Sequence, residues 1–251
     1  MSGIGTDWTQ VTAFLVNFNR LNGTFPFLEN PLLGTIFLNE NDIGGDLNAI
    51  TSLKSLSWLE ALENKFSGTL SEEITTLEYL RILTLTNNSL SGAIPNNWTN
   101  SSLLESFLVS GNKLTGSLPD TIASSPKLRK LQLANNLLSG SIPSSYYQMQ
   151  SLQELYIDGN TLGGSLSQLN EPLYFSVQEF AINNNSFVGR FPVEQFENTE
   201  ILNVLALQDN ALTGTITETI CKRLNVSNPN ARLKELSVDC DLIECTCCTC
   251  Y

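Results

Sequence analysis

The chain has 251 residues, a net charge of −12 and a pI near 4.4. An acidic chain with no basic stripe is a poor partner for nucleic acid, whose phosphates are held by Lys and Arg. There is no His, which excludes Ser/His/Asp and Cys/His relays and His-ligated zinc. No apolar run approaches the roughly 20 residues of a membrane-spanning helix.

Residues 1–10, MSGIGTDWTQ, lack the basic start and apolar run of a signal peptide. They are expected to form a partial N-terminal cap. From residue 11 onward one frame recurs. Its Asn anchors are Asn19, Asn41, Asn64, Asn88, Asn112, Asn136, Asn160, Asn185 and Asn210, in steps of 22 to 25 residues. A tenth frame carries Asp241 at the anchor. Apolar residues stand eight, five and three places before each anchor, as in Leu128, Leu131 and Leu133. An apolar residue follows two places after it, Gly four places after it, and Phe, Leu or Ile six places after it. Pro then closes the frame at Pro26, Pro95, Pro119, Pro143 and Pro192.

Each column has a physical job. The alternation before the anchor has period two, so it predicts a short strand with two side chains inward. A single coil cannot bury its apolar face; its neighbours must cover it. The Asn amide offers two donors and an acceptor to the backbone of a buried turn. Gly allows a conformation or a close approach that a Cβ forbids, and Pro stops further pairing.

The frame LxxLxLxxNxLxGxIP resembles the plant-type leucine-rich repeat of extracellular proteins, over residues 11 to about 243. The resemblance implies an α/β solenoid: a right-handed leucine-rich-repeat superhelix of about ten coils with a concave parallel β-sheet. It also implies a second short sheet from the GxIP segment. The expected division is a partial cap over 1–10, repeats over 11–220, and the last repeat with a Cys-rich C-terminal cap over 221–251. The family's N-terminal cap carries paired Cys around a CxWxGVxC motif. Here Trp8 and Val11 remain but neither Cys does. The first coil is then poorly capped, or the native chain starts earlier.

At the other end stand Cys221, Cys240, Cys245, Cys247, Cys248 and Cys250. Six Cys allow 15 pairings, and their clustering predicts a disulfide-bonded cap in an oxidising compartment. The rival is a thiolate metal cluster, because CTCCTC contains two overlapping CxxC spacings. The usual zinc pattern needs two separated pairs, so no metal or other cofactor is expected. The tail is also similar to Cys-rich ends of extracellular repeat proteins of diatoms. Sequons at Asn22, Asn87, Asn97, Asn100, Asn184 and Asn225 permit glycosylation.

Residues six, four and two places before each anchor are expected to face solvent on the concave side. In the first coils these columns and their rim hold Leu15, Phe18, Phe37 and Trp58 beside Glu40, Glu60 and Glu63. Exposed aromatics there are a candidate contact patch, or they pack on one another. Middle coils present a polar surface including Thr84, Lys130 and Gln132. Later coils present Glu154, Tyr156, Asp158, Glu179, Asp209, Glu235 and Asp239 without Lys or Arg, which favours a cationic partner or serves solubility. Tyr156 offers a stacking plane for a sugar or peptide ring.

Glu154 and Glu179 share a column in adjacent coils, about 5 Å apart, the carboxyl spacing of retaining glycosidases. No neighbour sets one as acid and the other as nucleophile, so no enzyme is expected. The leading expectation is a secreted or cell-surface recognition module. It binds a protein, peptide or glycan through its concave face, as a receptor ectodomain or an enzyme inhibitor does. No kinase signature is present in the chain. The alternative is a structural or ice-binding surface protein using a Ser/Thr/Asn flank, with Thr24, Thr69, Ser117, Ser141, Ser165 and Thr215 five places after their anchors. Sequence does not specify the oligomeric state.

Overall fold

The computed structural model describes residues 9–25, 30–166, 177–197, 201–223 and 233–251. Most of the expected cap, including Trp8, lies outside the described residues, as do Pro26 and the Asn225 sequon.

Each coil carries one strand before its anchor and one after it. The first set forms an inner sheet of eleven parallel strands among the described residues, in strict chain order from Ala13–Leu15 to Thr249–Cys250. The second set forms a flank sheet of ten parallel strands, from Asn22–Thr24 to Ile243–Glu244. On the far side most coils turn through a short 3-10 helix, such as Glu72–Thr76, Asp120–Ser124 or Ser144–Gln148. Parallel strands joined by crossover connections coil right-handedly. Stacked strands stand about 4.8 Å apart, whereas helical turns meeting through side chains need about 8–10 Å. Each coil is therefore a wedge, and the stack bends with the inner sheet concave.

The apolar columns form one core. Leu83, Leu85, Leu131, Leu133, Leu205 and Leu207 are fully buried, as the alternation predicts. The anchors form a spine beneath them. Asn136 Nδ2 donates to the carbonyls of Val109, Leu133 and Ala134, each at 3.1 Å. Its Oδ1 accepts from Leu114 N at 3.0 Å. The same pattern repeats at Asn88, Asn112, Asn160, Asn185 and Asn210. Each of these six anchors thus ties its own turn to the preceding coil and pairs backbone groups that would otherwise be buried unsatisfied.

The Gly column has a steric cause. At Gly92 (φ 76°) an added Cβ would stand 2.7 Å from Thr69 Cγ2, in the coil before. The left-handed φ and that contact together exclude a side chain.

The two sheets differ in register. Inner strands pair in step with the repeat, Lys130 opposite Glu154 and Glu154 opposite Glu179. Flank strands slip by two residues per coil: Thr69 faces Ser91, and Ala93 faces Thr115. The expected hydroxyl column therefore does not run as a lateral row. Neighbouring rows take in Lys113, Leu137, Val188 and Arg190.

Only the C-terminal end is closed by a further strand among the described residues. Thr249–Cys250 adds the eleventh strand, with Ser237 opposite Thr249 and Val238 opposite Cys250. The expectation of about ten coils did not include it. A two-residue strand has no period to read, and it exists because the tail folds back across an open sheet edge. All six Cys are paired, as Cys221–Cys247, Cys240–Cys250 and Cys245–Cys248. Their Cα separations of 5.6, 5.3 and 5.8 Å suit disulfides. The first holds the tail to the end of the helix Glu218–Cys221, and the second holds the eleventh strand.

Candidate functional site

The inner sheet presents its outward columns on the concave side. At its N-terminal corner Leu15, Phe37 and Glu60 stand opposite one another in successive strands, with Trp58 beside them and Phe18 exposed on the rim. Thr35 faces Trp58 and Phe37 faces Glu60 across adjacent strands. The Phe37 and Trp58 rings meet edge to face, with centroids 5.1 Å apart at 71°. Trp58 Nε1 donates to Glu60 Oε1 at 2.8 Å, and Asn39 Nδ2 donates to Glu60 Oε2 at 2.7 Å. Asn39 Oδ1 in turn accepts from Leu62 N at 3.0 Å. The carboxylate is therefore fixed in place, and with it the indole.

These aromatics do pack on each other, yet they stay accessible. Trp58 is 38% exposed, Leu15 59% and Phe18 70%, which is far from the fully buried state of the inward columns. A second feature sets the corner apart. The residue before each anchor has left-handed φ in nine coils, from Phe18 to Asp209. Most of these positions hold Asn, Asp or Gly, which tolerate it. Phe18 (56°), Glu40 (54°) and Glu63 (52°) are the exceptions, one in each of the first three coils. Side chains of that kind adopt this conformation at a cost of roughly 1 kcal/mol or more. All three are exposed on the rim.

The acidic columns are more engaged than their sequence suggests. Glu154 is bridged to Lys130 at 2.7 Å and accepts from Gln132 Nε2 at 2.9 Å. Glu179 accepts the Tyr156 hydroxyl. Burial, that hydrogen bond and the surrounding carboxylates of Glu179, Glu154 and Asp158 push the Tyr156 hydroxyl well above the usual phenol range. The phenol is a donor fixed on Glu179, though its ring remains on the face. Asp239 caps backbone, accepting from Asp209 N at 2.9 Å and Asn210 N at 3.1 Å. It takes the place of backbone carbonyls, since in the preceding coil the corresponding Asn184 N and Asn185 N donate to the carbonyls of Gln208 and Asp209. Asp158 is raised above the ordinary carboxyl value by desolvation, partly offset by its own backbone N–H. Glu235 is exposed.

Two placements differ from the expected open face. Thr84 is buried, and so are Ala181, Ala206 and Ser237 in equivalent columns. Ala181, Ala206 and Ser237 stand opposite one another in successive strands, so three short side chains leave that stretch of the column little surface to expose. Asn39 was absent from the expected site. Its signal was the stacked pair Asn17 and Asn39, whose Oδ1 atoms serve successive coils: Asn17 Oδ1 accepts from Asn39 N at 2.8 Å.

Sequence comparison matches the leucine-rich-repeat family over residues 79–101 and 102–162. No curated protein shows significant sequence similarity to the chain. Among solved structures it is similar to the plant peptide hormone receptor RGFR1 in complex with RGF2, at 26% identity and a TM-score of 0.81 over 95% of this chain and 37% of that one. It is also similar to the ectodomain of the Arabidopsis receptor kinase HAESA in complex with an IDA peptide hormone, at 30% identity and 0.78 over 86% of this chain and 36% of that one. The chain thus spans a little over a third of the receptor ectodomains it matches. A plant ice-binding protein, 21% identical with a TM-score of 0.66 over 94% of this chain and 83% of its own, shares the fold. The repeat frame, the two-sheet coil and these likenesses agree: the protein is a solenoid built of leucine-rich repeats.

Proposed function

We propose that this protein is an extracellular recognition module that binds a protein or peptide on its concave sheet. The footprint centres on Leu15, Phe18, Phe37, Trp58 and Glu60, and the columns of Glu154, Tyr156 and Glu179 steer the partner. The observation that carries the reading is the fixed but accessible Phe37–Trp58–Glu60 cluster. A rigid, half-exposed indole flanked by apolar neighbours is the usual anchor of an interface. One of the similar structures is a peptide hormone receptor in complex with RGF2, and another is a receptor kinase ectodomain in complex with a peptide hormone. Three disulfides suit a secreted or cell-surface location. Recognition also fits better than catalysis at Glu154 and Glu179, since each carboxylate is already held by its neighbours. The flank sheet offers the ice-binding alternative no matching support, because its two-residue slip breaks the hydroxyl column.

Selection of displayed random peptides on the immobilised protein tests this reading. Enriched peptides should lose about 30-fold or more in affinity for the Phe37→Ala/Trp58→Ala double variant, while its melting temperature shifts by only a few degrees. Equal binding to both proteins would remove the footprint. Early melting of the variant would make the two rings packing residues.

A further inference from the structure

The C-terminal cap brings two of its disulfides together. Cys221–Cys247 and Cys245–Cys248 lie side by side, not at separate points of the tail. The sulfurs of Cys245 and Cys247, which belong to different disulfides, are 3.8 Å apart. The sulfurs of Cys221, Cys245 and Cys247 all lie within 4.8 Å of one another. Cys248 is bonded to Cys245 and so joins the same group. These four Cys are half-buried, which leaves them reachable from solvent. Cys240–Cys250 stands apart in role, holding the eleventh strand to the inner sheet.

In a tetrathiolate zinc centre the metal–sulfur distance is about 2.3 Å, so the edges of the tetrahedron are about 3.8 Å. The gap between the two disulfides already has that length. Opening each S–S bond moves its two sulfurs apart, toward the same spacing. The Thr246 hydroxyl, 4.0 Å from Cys221 Sγ, is placed to hydrogen-bond a thiolate there, the kind of contact that orients a metal ligand. We propose that Cys221, Cys245, Cys247 and Cys248, when reduced, form a tetrathiolate site for a zinc-class divalent cation. The cap then has two closed forms, one held by disulfides and one by metal, and both tie the tail to the helix Glu218–Cys221.

The chemistry balances with a phosphine as reductant. Each of the three disulfides takes two electrons from one phosphine, which gains an oxygen from water and becomes its oxide, and two thiols form. Binding one cation then releases up to four thiol protons.

The full chain, reduced anaerobically with a water-soluble phosphine, is titrated with Co2+ as a spectroscopic probe. One equivalent should give thiolate-to-cobalt charge-transfer bands and tetrahedral ligand-field bands, and Zn2+ should bleach them. The Cys240→Ser/Cys250→Ser variant should keep the bands. The Cys245→Ser/Cys248→Ser variant should lose the four-sulfur signature and bind at least 100-fold more weakly. Absence of the bands in the reduced parent would overturn the proposal. So would their loss in the Cys240/Cys250 variant, or their persistence in the Cys245/Cys248 variant.

Discussion

Val16 and Val238 hold the same place in the frame, three residues before the anchor, at opposite ends of the solenoid. Val238 is fully buried beneath the tail strand and its disulfides, whereas Val16 is half-buried. The anchors differ in the same way. Asn210 donates to the carbonyls of Ile182, Leu207 and Gln208 and accepts from Phe187 N. Asn19 is exposed and donates only within its own turn, to Val16 and Asn17. One sequence frame thus yields two environments, according to which neighbour covers the coil. The exposed apolar side chains of the proposed footprint lie at the end that is less covered among the described residues.

The anchors offer the sharpest way to break this comparison. Asn210→Ala should cost about 3 kcal/mol, because several buried backbone groups lose their partners together. Asn19→Ala should cost less than about 1 kcal/mol. Denaturant melts of the two variants measure both, and equal losses would show that the first coil is as well covered as the ninth.

The valines give a smaller contrast. Val238→Ala removes two methyl-sized groups from a closed site and should cost about 2 kcal/mol, including the cavity. Val16→Ala should cost about half of that or less. Thermal unfolding of both variants decides whether the tail seals its end as the structure indicates.

Asp158 carries the smallest effect. Desolvation raises its folded-state pKa above the unfolded value, so the folded protein binds this proton more readily. The ionised group therefore destabilises the fold at neutral pH, and the penalty fades as pH falls through the raised folded-state value. Asp158→Asn should raise the melting temperature slightly at pH 7. Parent and variant should converge in acid, and a gain that persists unchanged there would assign it to another cause.

Much of this architecture was legible in the frame. The inward Leu columns, the Asn spine and the Gly positions each follow from one local rule repeated many times, and the structure places them accordingly. What escaped was whatever depends on relations between coils. The flank slip that separates Thr69 from Ala93 is set by how one coil twists on the next. The ties of Glu154 to Lys130 and Gln132 link residues 24 and 22 positions apart. The pairing of six Cys depends on the fold of the tail, as does the strand Thr249–Cys250. At the candidate site the aromatic residues stood out in the outward columns. The role of Asn39 in fixing Glu60 did not.

The Asn spine also has a mechanical meaning. Successive coils are joined by nearly identical sets of bonds, and the covalent clasps all lie at one end. Under tension applied between the two termini, the molecule would yield from the unclasped end, coil after coil at similar force. Each step would free one repeat of about 24 residues, roughly 80 Å of extended chain. A structure organised this way behaves as a ratcheted tether whose last links hold longest.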